Sequence, residues 1–123
     1  MFSLGESDRY YLYSKPTDMR KSFYTLSGIV NNVLGSDSRS GNVYIFVNGR
    51  RNRMKLLHYE SGGMVIYSKM LDHGTFGMPV RDERNESAIK IEWEELRVIV
   101  ERVMRDPSSR QSRQRQLQNL WRR

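Results

Sequence analysis

The sequence predicts a small α+β fold: an antiparallel β-meander with one helix packed on a face and a C-terminal helix at the edge. Three observations lead to this prediction. Three runs of strand length follow one another between turn signals, a helical apolar stripe precedes them, and a second stripe follows them. Because 123 residues leave room for one domain, we expect a single domain over 1–105 and a disordered basic tail over 106–123.

The first predicted elements are a short strand and a helix. Residues 9–14 are rich in aromatic side chains, which favours a strand, and Pro16 ends it. A helix is predicted over 18–34, with Thr17 or Asp18 as its N-cap. Its apolar stripe repeats every three or four positions and consists of Met19, Phe23, Leu26, Val30 and Val33.

The meander is predicted from the middle of the chain. Asn48-Gly49 is a strong hairpin signal, and the arginines that follow can lengthen the loop. A Ser-Gly-Gly sequence at 61–63 predicts the second tight turn. The three strands are predicted at 43–47, 54–60 and 64–70.

The last third of the chain predicts two short strands and a helix. An extended piece is expected near Phe76, and Ile89 and Ile91 mark a strand within 87–91. A helix over 93–104 follows, because apolar residues recur there at steps of three and four. Its predicted stripe is Trp93, Leu96, Val100 and Val103.

Charge is unevenly distributed along the chain. The net charge is +7, and residues 105–123 contribute six arginines and one acid to it. This pattern predicts a polyanionic partner, and a merely solubilising tail is the alternative. The sequence contains no cysteine, no apolar run of membrane-spanning length and no secretory signal. We therefore expect a cytoplasmic protein without membrane association.

Two groups of cations predict a nucleic-acid-binding site. Four cations fall within residues 50–55 at the first hairpin, where like charges repel unless phosphates or carboxylates face them. Two more stand in the first turn of the predicted helix, where the helix dipole disfavours cations. The predicted binding residues are Arg20, Lys21, Arg50, Arg51, Arg53 and Lys55. The alternatives are a solvated loop that protects a sheet edge, and internal bonds from Arg20 or Lys21 to Glu60 or Asp72.

Catalysis has little support in the sequence. His58 and His73 are the only histidines, and neither has acidic partners at the spacing of a zinc site. His58 is expected to be a structural strand residue. A metal-dependent nuclease site would need Asp18, Asp37, Glu60 and Asp72 to meet, which is disfavoured because Asp18 and Asp37 suit a cap and a turn. We expect no catalytic residue, no metal and no cofactor.

Several blocks of the sequence resemble one bacterial family. They are residues 15–23 (Lys-Pro-Thr-Asp-Met-Arg-Lys-Ser-Phe), 43–47, 50–57, 63–71 and 74–76, with Thr-Asp-Met-Arg-Lys the most specific. The chain is similar over about 9–103 to the TnpB-type, or Orf-two-like, protein of the insertion sequence sixty-six group of transposable elements. The tail beyond 105 is not covered.

The resemblance implies a non-catalytic accessory protein that assists transposition beside a separate transposase. We expect it to bind DNA with weak sequence discrimination, through the six cations and the tail, because phosphate contacts position a protein without reading sequence. The alternative is a protein–protein adaptor that docks on the transposase or a sister accessory protein, without direct DNA contact. Its anchor would be Leu117, Leu120 and Trp121.

Overall fold

The computed structural model describes residues 4–78, 86–101 and 103–104, the last two through their backbone. The elements are β1 (Tyr10–Tyr13), α1 (Phe23–Gly28) with a π-helical continuation (Ile29–Val33), β2 (Val43–Val47), β3 (Arg53–Glu60), β4 (Gly63–Met70), β5 (Thr75–Phe76), β6 (Ala88–Ile91), α2 (Trp93–Glu101) and β7 (Val103–Met104). Five strands form one mixed sheet in the order β4-β3-β2-β1-β6, and β5 pairs with β7 separately. The predicted α+β class is confirmed.

The predicted meander is the centre of the sheet. Strands β2, β3 and β4 pair antiparallel in sequence order, and β3 and β4 stay in register over eight consecutive pairs. Ser61 and Gly62 form the turn between them, with φ of 48° and 81°. Positive φ at both loop residues gives the turn a twist that matches the flanking strands, so this hairpin closes without distortion.

The pairing of the first strand departs from the all-antiparallel pattern of a meander. β1 lies parallel to β2, with Tyr10 opposite Val43, and antiparallel to β6. A parallel neighbour needs a crossover connection, which α1 and its continuation provide. The carboxyl ends of β1 and β2 therefore lie at the same end of the sheet. There the Thr17 N–H donates to Val47 O at 2.9 Å, which ties the segment after β1 to the end of β2.

The first helix begins five residues later than predicted, at Phe23, with Ser22 as the N-cap. Thr25 Oγ1 accepts the Ser22 N–H at 2.8 Å, which satisfies one otherwise unpaired backbone donor. Thr17 and Asp18, the predicted caps, precede the helix. Asp18 instead opens a turn in which its carbonyl accepts the Lys21 N–H at 3.1 Å. The cap prediction was wrong because the chain before the helix is fixed by bonding to β2.

The predicted stripe of the first helix is only partly buried. Leu26 and Val30 are fully buried, whereas Phe23 and Val33 are 43% and 52% exposed. For Val33 the π-helical continuation explains the exposure, since the Leu34 N–H donates to Ile29 O, five residues back, at 2.9 Å. A π-helical turn contains about one residue more than an α-helical turn. The residues that follow are therefore rotated relative to the apolar face that the α-helical spacing predicts.

The sheet has an apolar cluster on each face. On one face, α1 covers Tyr44, Phe46 and Leu57. On the other, Leu96 and Ile99 of α2 join the larger cluster formed by alternate residues of the strands. Helix α2 thus packs on a face of the sheet near β1 and the edge strand β6, consistent with the predicted position at the edge.

Helix α2 is shorter than predicted. It ends at Glu101, and residues 103–104 pair as β7 with β5, so Val103 is not on the helix. The strand predicted within 87–91 and the extended piece at Phe76 are both present, as β6 and β5. The described ranges include no helix that is both long and apolar enough to cross a bilayer. The predicted disordered tail lies outside the described residues.

Candidate nucleic-acid interface

The loop between β2 and β3, residues 48–53, is referred to below as the arginine tip. Its turn is closed by the Arg51 N–H, which donates to Asn48 O at 3.0 Å, so Gly49 and Arg50 occupy the centre. The left-handed residue is Arg51, with φ of 58°, and Gly49 has no positive φ. The Asn-Gly signal located the turn correctly, but the longer loop places its left-handed position two residues later.

Side-chain and backbone bonds hold the arginine tip in one conformation. Asn48 Oδ1 accepts the N–H groups of Asn52 and Arg53, each at 3.0 Å, and Asn48 Nδ2 donates to Asn52 Oδ1 at 2.7 Å. Outside the loop, Arg51 O accepts the Phe76 N–H at 2.7 Å. These bonds fix the backbone of residues 51–53, and the Arg50 and Arg51 side chains remain exposed to solvent.

The segment 15–21 carries the second group of cations. Arg20 bonds the carboxylate of Asp18 in a bidentate arrangement, with Nη2 to Oδ2 at 2.6 Å and Nε to Oδ1 at 3.1 Å. These hydrogen bonds hold the pKa of the Asp18 carboxyl well below its usual range and raise the pKa of the Arg20 guanidinium. The alternative to phosphate contact at Arg20 was a bond to a carboxylate of the same chain, such as Glu60 or Asp72, and the structure supplies such a bond from Asp18, two residues away.

Arg20 and Lys21 do not stand in a helix. Both precede the N-cap Ser22, so the predicted conflict between two cations and a helix dipole does not arise. The Arg20 side chain is 91% exposed despite its bond to Asp18. Nη1 of Arg20 makes no hydrogen bond to any described residue and remains available for an anion.

Lys55 has a different environment from the other five cations. Its half-buried side chain extends from β3, and Nζ donates to the carbonyls of Met19 and Lys21 at 2.8 and 2.7 Å. Two of the three ammonium protons are therefore used to fix the 19–21 turn against the sheet. Lys55 therefore has a structural role next to the predicted site, through its hydrogen bonds.

The two groups of cations share one surface. A shallow groove of about 440 Å³ runs between the arginine tip and the 16–20 segment. Arg20 lies on one wall and Arg53 on the other, with Asp18 beside Arg20. Its full lining is Pro16, Thr17, Asp18, Met19, Arg20, Asn48, Gly49 and Arg53.

A second depression of about 240 Å³ lies against the same loop. It is lined by Lys15 and Arg51 together with apolar groups such as Leu12 and Ile89. Lys15 was not among the predicted residues. The parallel pairing of β1 with β2 brings it here, because both strands end on this side of the sheet. The sequence does show a lysine shortly after the first strand. Only the parallel pairing of β1 with β2 reveals that this lysine lies beside the arginine tip.

Charge on this end of the molecule is strongly positive. Residues 15–20 and 48–53 contain five cationic side chains and one carboxylate, Asp18. The guanidinium groups of Arg50, Arg51 and Arg53 form no ion pair with a described residue. Cations crowded without internal partners are what a phosphate backbone can neutralise.

The carboxylates considered for a nuclease site have separate surroundings. Asp18 bonds Arg20, while Asp37 Oδ1 accepts the Arg39 N–H at 2.9 Å and Glu60 is buried at the other end of β3. In the part of the chain that the structure describes, no three metal-ligating side chains cluster.

His58 belongs to a buried polar network at that far end. Its Nε2–H donates to Gly41 O at 3.0 Å, and Nδ1 lies 2.7 Å from Glu60 Oε2, which also accepts the Tyr67 O–H at 2.6 Å. Burial and the bond to Glu60 raise the pKa of Tyr67 to about 12. The side chain of His58 is 6% exposed, in keeping with the structural role predicted for it.

Comparison with known proteins identifies the family. Residues 8–109 match the family described as IS66 Orf2-like protein. The chain belongs to this family. The IS66 Orf2-like proteins are accessory proteins of insertion sequences, so the resemblance seen in the sequence is confirmed.

The chain is also similar to two proteins from Sinorhizobium fredii (strain NBRC 101917 / NGR234). The uncharacterized protein y4jC is 28% identical over 108 residues, which is 83% of this chain and 89% of the relative. The uncharacterized protein y4hO is 29% identical over 79 residues, which is 64% of this chain and 69% of the relative. No solved structure matches the chain. The family match includes both cation groups of the interface and stops within the tail.

Proposed function

We propose that this IS66 Orf2-like protein assists transposition as a non-catalytic factor that binds DNA through the arginine tip and the neighbouring 15–20 segment. The observation that carries the proposal is the groove between them. It brings Arg20 and Arg53 to one surface, with Arg50 and Arg51 exposed beside it. Contacts from such side chains to phosphate oxygens give affinity with little base discrimination.

The predicted set of binding residues is changed in three places. Lys21 is left out, since it lines neither the groove nor the adjoining depression. Lys15 is added, since it lies with Arg51 in the adjoining depression. Lys55 is assigned to the support of the interface, because its ammonium already bonds two carbonyls. The adaptor alternative depends on Leu117, Leu120 and Trp121, which lie outside the described residues.

The test is a salt-dependent binding assay on duplex DNA with the full chain. We expect wild-type log K to fall linearly with log salt, by about 0.9 per phosphate contact. Replacing Arg50, Arg51 and Arg53 by alanine removes three contacts. The variant should bind at least about tenfold more weakly at low salt, and its slope should be shallower by about 3.

A matched control separates location from total charge. Arg9, Arg39 and Lys90 are exposed cations that line neither groove, so their triple alanine variant loses the same net charge elsewhere. We expect it to keep most of the affinity. Equal weakening of the two triple variants would reject a localised interface, and absence of wild-type binding at low salt would reject DNA binding in favour of the adaptor.

A further inference from the structure

Within the described residues, β4 is the longer of the two edge strands of the main sheet, and no described strand pairs with its outer side. It contains eight residues and pairs with β3 along its whole length, so its other side faces away from the sheet. The opposite edge, β6, has only four residues. An edge strand exposes a row of N–H and C=O groups that can pair with another strand.

The hydrogen-bond pattern identifies which backbone groups of β4 face outward. The Leu71 N–H donates to Asn52 O at 2.8 Å, which makes Asn52 and Leu71 a hydrogen-bonded position of the β3–β4 ladder. In an antiparallel pair such positions alternate along each strand. The backbone groups of 65, 67 and 69 are therefore directed at β3. Those of 64, 66, 68 and 70 are directed away from the sheet.

β4 also has few of the features that usually prevent edge pairing. It contains no proline, its register with β3 has no bulge, and Lys69 is its one charged residue. The backbone of Lys69 is directed at β3. Met70 is 66% exposed and the residues from 64 to 67 are half-buried, so an added strand would cover apolar surface on both faces.

We propose that β4 is a dimer interface, at which a second copy of the chain adds its own β4 antiparallel across a two-fold axis. The largest number of outward-facing backbone groups pair with one another when the two-fold axis passes at Tyr67. Residue 66 then faces 68 and residue 64 faces 70, which joins the two sheets into one. The proposal is independent of DNA binding.

Charge placement favours a second copy as the occupant. In this register Lys69 lies opposite Val65 of the partner subunit, so the single charge of the strand does not face itself. The antiparallel arrangement also puts the two arginine tips at opposite ends of the shared strand pair. Eight residues span about 26 Å, well beyond the screening length of about 8 Å at physiological salt. The basic surfaces therefore do not oppose association.

The experiment uses the full chain after removal of bound nucleic acid, verified by its absorbance ratio. Sedimentation equilibrium over a range of concentrations gives the mass, and residue-resolved hydrogen exchange by NMR gives the state of the edge. We expect twice the monomer mass at high concentration. The amides of Ile66 and Ser68 should exchange slowly there and lose this protection on dilution, whereas those of Val65 and Tyr67 stay protected throughout.

Two variants test the edge directly. Ser68→Pro removes an outward N–H that bonds nothing within the sheet, and should weaken dimerisation at least tenfold while β3 and β4 stay paired. Ser68→Ala keeps the N–H and should dimerise like the wild type. If Ser68→Pro fails to fold, the exchange measurement on the wild type decides. A monomer at every concentration, a dimer with unprotected 66 and 68 amides, or an unaffected Ser68→Pro dimer would overturn the proposal.

Discussion

Charged and polar side chains have opposite surroundings at the two ends of strand β3. At its start, the arginine tip carries the exposed Arg50 and Arg51 and the half-buried Arg53, none of which has an ion-pair partner among the described residues. At its other end, His58 and Glu60 are buried, and each is bonded within a polar network. Both ends belong to the same strand, so secondary structure does not cause the difference.

Burial is what separates the two ends. A charged or polar group removed from water loses several kcal/mol of hydration unless the protein supplies partners, so buried groups must be bonded. Exposed cations keep their water and can stay unpaired at little cost. Lys55 lies between the extremes, half-buried and bonded to two carbonyls. We infer that the buried end stabilises the fold and that the exposed end is free to bind.

The largest expected effect comes from the buried end. Glu60→Ala removes the acceptor of both His58 and Tyr67, and leaving such groups buried without a partner costs about 3–5 kcal/mol. Urea unfolding should show a loss of that order, and Glu60→Gln, which keeps the shape and an acceptor, should lose clearly less. A loss below about 1 kcal/mol for the alanine variant would mean that the network does not stabilise the fold.

An alkaline titration sharpens the same prediction. Burial and Glu60 raise the pKa of Tyr67 to about 12, and burial and the charge of Asp8 raise that of Tyr10 to about 12. Both pKa values are above the ordinary value of 10. The contribution of the two neutral tyrosines to the free energy of unfolding is therefore full below pH 10 and is lost as pH rises towards 12. In Glu60→Gln, ultraviolet titration should show one tyrosine ionising nearer pH 10.

The second effect concerns Lys55, which the sequence placed in the binding set. Lys55→Met keeps the length of the side chain but removes two charge-assisted bonds to backbone carbonyls, so the free energy of unfolding should fall by about 2 kcal/mol. DNA affinity of the folded variant should fall less than that of an Arg53→Ala variant. Unchanged stability together with an equal loss of affinity would return Lys55 to the interface.

The smallest effect on stability is expected at the exposed end. Asp18→Asn removes the carboxylate that bonds Arg20, and its amide oxygen can still accept the Arg20 N–H that Asp18 Oδ1 accepts at 2.9 Å. The melting temperature should change little, because exposed ion pairs stabilise proteins weakly. DNA affinity should rise several-fold, and the salt slope should steepen by about 1. Weaker binding would show that Asp18 positions Arg20 for its contact.

Much of the fold could be inferred from local patterns. The alternation of apolar residues and two turn signals gave the three-stranded meander, and the crowding of like charges at 50–53 gave the tip. The start of the first helix was missed, because the bond from Thr17 to Val47 is made across the sheet. The π-helical turn was missed for a related reason, since no residue type marks it and packing against β2 and β3 accompanies it.

Residue chemistry alone was sufficient to predict the elements of the meander, the family, and most of the cations that the structure brings to one surface. The assembled sheet was needed to show that β1 runs parallel to β2, which brings Lys15 and the 16–20 segment beside the arginine tip. It was also needed to distinguish Lys55, which is bonded inside the fold, from Arg50 and Arg51, which are exposed. The physical reason is that charge and periodicity are properties of a short segment, whereas burial and partnership depend on residues far apart in the chain.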